Sequence, residues 1–269
     1  MESQSPGSSL QSAGKVGLIG GLCGDLGALL EISESMATHG VHALLALGNV
    51  GLLWAGTDGA PAIAKLSRRL HATGQALYWV DGNHNDFEPL NEADGDDDGL
   101  RRLAPNVIHL PRGYRTTFAS GRTLAALGGA NFLDCHHRTT KDWWPDEPIT
   151  QTDLDTLGGS HADILVGRDA PLDLLTLDPQ LATTNPYWPA DSLEYAQRGR
   201  EMLHRGFLQT NPDLYLGSHH HRHIDETVGY VAGEDTFASR ISTTISTTTM
   251  TLLTCATSAR WRAYRRNAG

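Results

Sequence analysis

Cysteine is scarce in this chain. Cys23, Cys135 and Cys255 are the three in 269 residues. They are too few and too far apart for a disulfide framework, so a reducing, cytoplasmic setting is expected. No run approaches the roughly 20 apolar residues that cross a bilayer. The first 14 residues, rich in Ser, Gln and Gly, lack the basic start and apolar stretch of a signal peptide and read as a disordered leader. Positive charge is short as well. The 21 Lys and Arg stand against 31 Asp and Glu, a formal net charge of −10, which excludes a general nucleic-acid or anionic-membrane surface. The basic finish (Arg260, Arg262, Arg265, Arg266) is local and reads as a solvated helix or tail.

What is present is an ordinary globular composition, 39% hydrophobic and 19% charged, in a chain long enough to bury a substantial core. Val16 to Ile19 is a short apolar run ending at Gly20-Gly21, a buried strand entering a loop. Asp25 to His39 has helical spacing. His42 to Leu47 is a second strand, stopped at Gly48. Ala60 to Thr73 reads as a helix with a basic outer face, and Ala76 to Val80 as a strand closed by Asp81-Gly82-Asn83-His84. Strand, polar loop and helix in repetition mean parallel β-α-β units, whose ligands sit outside the carboxyl ends of the strands.

Further strands are expected at Val107–Leu110, Tyr114–Phe118, Arg122–Leu127, Asp163–Val166 and Leu214–Leu216. Helix is expected near Thr150–Leu157 and in part of Tyr187–Gln209. The Thr/Ser-rich stretch Ser239–Cys255 alternates as strands do, and Asp94–Asp98 reads as a solvated acidic loop. With no internal repeat and no linker, residues 15–269 are expected to form a single domain.

Five strand-end loops carry the chemistry: Gly20-Gly21-Leu22-Cys23-Gly24, Gly48-Asn49, Gly82-Asn83-His84, Gly167-Arg168-Asp169 and Ser218-His219-His220-His221. Their order resembles that of the calcineurin-like metallophosphoesterases, which carry Asp-x-His, Gly-Asp, Gly-Asn-His, a lone His and Gly-His-x-His at successive strand ends. The phrases Leu47-Gly48-Asn49-Val50-Gly51, Trp79-Val80-Asp81-Gly82-Asn83-His84, Leu127-Gly128-Gly129-Ala130 and Trp143-Trp144-Pro145-Asp146-Glu147 are similar to those of a bacterial and phage subgroup. The resemblance runs from about Lys15 to at least Ile224. It implies an α/β fold, a four-layer αββα sandwich of mixed sheets flanked by helices. It also implies phosphoester hydrolysis at a pair of metals.

Carried over position by position, the resemblance implies a metal site without most of its ligands. Gly21 stands where the first Asp belongs, Cys23 replaces the His, Asn49 the bridging Asp, and Arg168 the lone His. Asn83, His84, His219 and His221 remain. Unit charges about 4 Å apart interact by roughly 4 kcal/mol at an effective dielectric near 20. An Arg beside a dication, with both carboxylates gone, therefore argues against a hydroxide-bridged pair. The expectation is no metal, or alternatively one divalent ion (Zn, Mn or Fe) drawn from Cys23, Asn49, Asn83, His219 and His221.

Three functions stay open. The first is binding, and perhaps transformation, of a phosphorylated or anionic small molecule through Arg168, Asn49, Asn83, His219 and His221, with His84 as the catalytic acid. The second is a pseudoenzyme that engages a protein partner. The third is a mononuclear hydrolase. Against the first stands an Arg168 merely salt-bridged to Asp169 or Asp25. Of the histidine run, only His219 and His221 are expected to point inward. His136-His137-Arg138 reads as a surface loop, and Trp143-Trp144-Pro145 as core.

Overall fold

In the computed structural model, residues 10–54, 59–93, 95–139, 143–184, 187–243, 251–254 and 262–263 are described. The strands are β1 (Lys15–Ile19), β2 (Ala43–Ala46), β3 (Ala76–Trp79), β4 (Arg101–Ala104), β5 (Val107–His109), β6 (Arg115–Thr117) and β7 (Thr123–Leu127). They continue with β8 (Ile164–Gly167), β9 (Leu214–Gly217), β10 (Ile224–Ala232), β11 (Asp235–Thr243), β12 (Thr251–Thr254) and β13 (Arg262–Ala263). One sheet has the order β13-β12-β1-β2-β3-β5-β4, the other β10-β11-β9-β8-β7-β6. Both are mixed: β1, β2, β3 and β5 run parallel, as do β7, β8, β9 and β11, with antiparallel strands at the margins.

Strand alternation builds the layers. Val16, Leu18, Leu45 and Tyr78 point from the first sheet to meet Leu124, Ala126, Val166 and Leu216 of the second in one apolar interior. On the outer face of the first sheet, Ile19, Leu44 and Trp79 pack with Leu29 and Met36 of helix Leu26–Ala37 and with Leu66 and Leu70 of helix Gly59–Ala72. Leu127, Leu165 and Tyr215 do the same for the second sheet, against Leu154 and Leu157 of helix Gln151–Leu157 and Leu203 and Phe207 of helix Ala190–Thr210. The result is the expected helix–sheet–sheet–helix stack. Gly17 lets the first helix close on its sheet, since a Cβ there would lie 2.2 Å from Met36 Sδ.

Structure begins earlier than Lys15. Leu10 is fully buried in the inter-sheet interior, and Gln11 O accepts from Ala119 N at 2.7 Å. The leader expected over residues 1–14 is corrected to that extent, and residues 1–9 lie outside the described set. Of the Ser239–Cys255 stretch, residues 239–243 and 251–254 are strand, and the rest lies outside the described residues. Among the described residues, no helix is long and apolar enough to cross a membrane.

Candidate functional site

The five loops follow β1, β2, β3, β8 and β9, so their side chains converge from both sheets at one end of the sandwich. Tight backbone turns set the geometry. Gly21 N donates to Ser218 Oγ at 2.8 Å, joining the first loop to the fifth. Gly48 adopts φ +84, and a Cβ there would sit 2.5 Å from Arg168 Cδ, so only glycine lets the arginine stem pass. Cys23, Asn49 and His221 hold left-handed φ of 45, 51 and 51, a conformation uncommon outside glycine and found disproportionately at functional sites. Asp25 is spent on the following helix, its Oδ1 accepting from Ala28 N.

Behind the third loop lies a buried charge cluster. Asp81 meets Arg112 at 2.7 Å and His109 at 3.2 Å. Burial pushes its pKa up, but Arg112 and then His109 overcome this and hold the carboxyl well below the usual range. Arg112 also bonds Asp153 and the carbonyls of Asp146, Glu147 and Pro148. Arg138 donates to Asn83 O at 2.6 Å and to Glu147 Oε2 at 2.9 Å. Burial pushes Glu147 up to about 8 against the opposing pull of Arg138, and the Asp134 carboxylate adds to the rise.

Arg168 is at the centre. It is among the largest fully buried side chains, 1% exposed. Nη1 donates to the carbonyls of Leu47 (3.2 Å) and Ser218 (2.9 Å). Nε is buried with no hydrogen-bond partner, and no carboxylate pairs with the guanidinium, among the described residues. Burial lowers its pKa to about 10, with Cys23, Asp169 and Tyr215 acting in the opposite sense. Burial pushes the Asp169 carboxyl up, but His219, His220 and Arg200 outweigh it and hold the group at about 2; its Oδ1 pairs with His220 Nε2 (2.8 Å) and accepts from Ala170 N (2.8 Å) instead.

The remaining polar groups surround Arg168. Asn49 Nδ2 donates to Asn83 Oδ1 at 2.9 Å. His219 is buried edge-on to Phe132, ring centroids 5.1 Å apart. Burial drives its pKa well below the ordinary value despite Asp169. His221 is also lowered, by burial and then by Arg168 and His220. Its Nε2 lies 3.6 Å from Cys23 Sγ. Cys23, Asn49, Asn83, His84, Arg168, His219 and His221 line one small cavity of about 80 Å³, closed on its sides by Trp54 and Phe132. A larger cavity of about 350 Å³ adjoins it, sharing Phe132 and His219 and lined also by Asn131, Asp169, Leu193 and Arg200.

Every site residue expected from the sequence thus lines the same hollow. Three other expectations are corrected. His220 does not face solvent: it is half-buried on Asp169. Arg138 is no surface residue, its side chain being 4% exposed between Asp134 and Glu147. Trp143 and Trp144 are half-buried and Pro145 exposed, so that segment is not core, and Trp143 Nε1 donates to Tyr195 Oη at 3.1 Å. Sequence reasoning missed Arg112, Phe132 and Glu147. Their importance depends on partners brought in by the fold: Asp81 for Arg112, His219 for Phe132, and Arg138 with Arg112 for Glu147.

For a metal, the donor set fits poorly. Among the described residues, His161, Asp163 and Asp213 form the group of His, Cys, Asp or Glu whose ligand atoms lie within 4.8 Å of one another. They sit at the amino ends of β8 and β9, away from the loops, with Arg122 3.6 Å from both carboxylates. No such trio forms around Arg168 among the described residues.

No family model matches the chain, and no curated protein matches it. Solved structures share its fold. The crystal structure of TT1561 of Thermus thermophilus is 16% identical, covering 90% of this chain and 95% of its own, with a TM-score of 0.54. A second crystal structure is 12% identical over 89% and 94% of the two chains, with a TM-score of 0.50. A dimetal phosphatase from Danio rerio is 12% identical over 85% and 86%, with a TM-score of 0.47.

Proposed function

We propose that the hollow at the loop ends binds a phosphorylated or otherwise anionic small molecule, with Arg168 supplying the positive charge that metals would supply in the calcineurin-like metallophosphoesterases the loops resemble. One observation carries this reading: a fully buried guanidinium with no carboxylate partner among the described residues and an unused Nε–H. Burying such a charge is costly unless something anionic answers it, and an oxyanion is well matched to a guanidinium's donors. The cavity of about 80 Å³ has room for a few waters or one small oxyanion group.

Asn49, Asn83, His219 and His221 would contact the oxyanion from the walls, and His84, which lines the same cavity, would give a proton to a departing oxygen. Dications would meet Arg168 in the same small space, where no carboxylate among the described residues lines the cavity to offset the repulsion, so no step is assigned to a metal. The larger cavity beside Phe132 offers the space for the organic remainder of the molecule.

Calorimetric titration with inorganic phosphate and with nucleotides tests the proposal. Binding by the natural chain and its loss in Arg168→Met are expected. No heat from any anion, or equal binding by the variant, defeats it.

A further inference from the structure

We infer that Cys23 is a nucleophile toward the phosphoryl group held at Arg168, which makes the hollow a metal-independent, cysteine-based phosphoryl-transfer site. This rests on the anion-binding reading above. Three observations on the same cavity support it. Cys23 is exposed on the cavity wall, with Sγ 3.6 Å from His221 Nε2, the arrangement in which an imidazole activates a thiol. Its backbone is held at φ 45, while Gly24 N donates to Asn49 O at 3.2 Å and Gly21 N to Ser218 Oγ. The thiol is therefore presented from a turn tied to two other loops. Finally, Arg168 lines the same cavity, buried, with Nε unpartnered among the described residues, so an oxyanion held by the guanidinium would share that small space with the sulfur.

The step balances without an added co-reactant. His221 takes the thiol proton, and the thiolate attacks phosphorus. An S–P bond forms as the P–O bond to the leaving group breaks, and His84 gives its proton to the leaving oxygen. Water then attacks the phosphocysteine, losing a proton to His84. Inorganic phosphate departs, and the thiolate recovers its proton from His221. The sum is ester plus water giving alcohol plus phosphate. Arg168 stabilises the charge on the transferring group throughout.

The test uses the full chain with p-nitrophenyl phosphate in the presence of EDTA. Turnover that survives the chelator, and a phosphoryl adduct on the Cys23 peptide after acid quenching, are expected. Cys23→Ser should lower kcat by at least about 100-fold while binding inorganic phosphate as the natural chain does. His221→Asn should slow alkylation of Cys23 by iodoacetamide roughly tenfold or more, while Cys135→Ser leaves turnover unchanged. Turnover that needs added metal, or that survives Cys23→Ser, overturns the inference. So does the absence of both adduct and turnover. Phosphate binding that persists beside such a failure refutes the nucleophile alone, whereas loss of phosphate binding by the natural chain removes the anion site with it.

Discussion

Replacing Arg168 by Met separates a structural clamp from a ligand-binding charge. Met keeps most of the aliphatic stem that passes over Gly48 and deletes the guanidinium. Burial lowers the arginine pKa from 12.5 to about 10, which corresponds to about 3 kcal/mol against the charged form. The sign is simple: folded and unfolded states are both protonated at neutral pH, so this cost is constant there and fades only as pH rises above about 10. Opposing it, the carbonyls of Leu47 and Ser218 lose their donor, at about 1–3 kcal/mol each. The two effects nearly cancel. The variant should unfold within about 3 kcal/mol of the natural chain.

Ligand linkage should change far more. Phosphate at about 100 times its Kd stabilises a binding protein by about 2.7 kcal/mol, a rise in Tm of about 5–10 °C for a domain of this size. Differential scanning calorimetry with and without phosphate should show that rise in the natural chain and none in Arg168→Met. A variant destabilised by more than about 5 kcal/mol, or one that keeps its phosphate response, would show that Arg168 is only a brace between the second and fifth loops.

Other perturbations follow from the same structure. Glu147 has a folded pKa raised to about 8, so its contribution is full below the unfolded value near 4.5 and is lost as pH climbs toward 8. Stability measured by urea unfolding should fall over that window, by at most about 1.4 kcal/mol per pH unit, and Glu147→Gln should flatten the slope. Asp81→Asn leaves Arg112 and its carbonyl ligands without their buried anion, and should cost about 3–5 kcal/mol by the same assay. Gly48→Ala forces a Cβ into the Arg168 stem at a left-handed φ; phosphate affinity should drop at least about tenfold by calorimetry. Dialysis against EDTA should leave phosphate binding unchanged, whereas a loss restored by one divalent ion would favour a mononuclear hydrolase.

The parts of this protein legible in its sequence are those decided by local pattern. Runs such as Ala43–Ala46 and Ile164–Gly167 are buried on both faces and could only be central parallel strands. The glycine- and asparagine-marked turns after them announced where a site would form. Edge elements were harder. Arg101–Ala104 carries two arginines and is not among the strands expected from the sequence, yet it pairs with β5 at the sheet margin, where charged side chains reach solvent. Non-local partners were not legible at all. His220 turns inward only because Asp169 waits 51 residues away, and Arg138 is buried only because Glu147 and the Asn83 carbonyl receive it.

Phe132 and His219 belong to the walls of both hollows, and their edge-on contact is the partition between a small compartment and a roomier one. A molecule that bridges the two must brush this aromatic doorway. Its girth at that one point, rather than its charge or its total bulk, becomes the criterion for admission. Enlarging or shaving the ring at position 132 would therefore re-sort which guests fit while leaving the grip on their charged head intact.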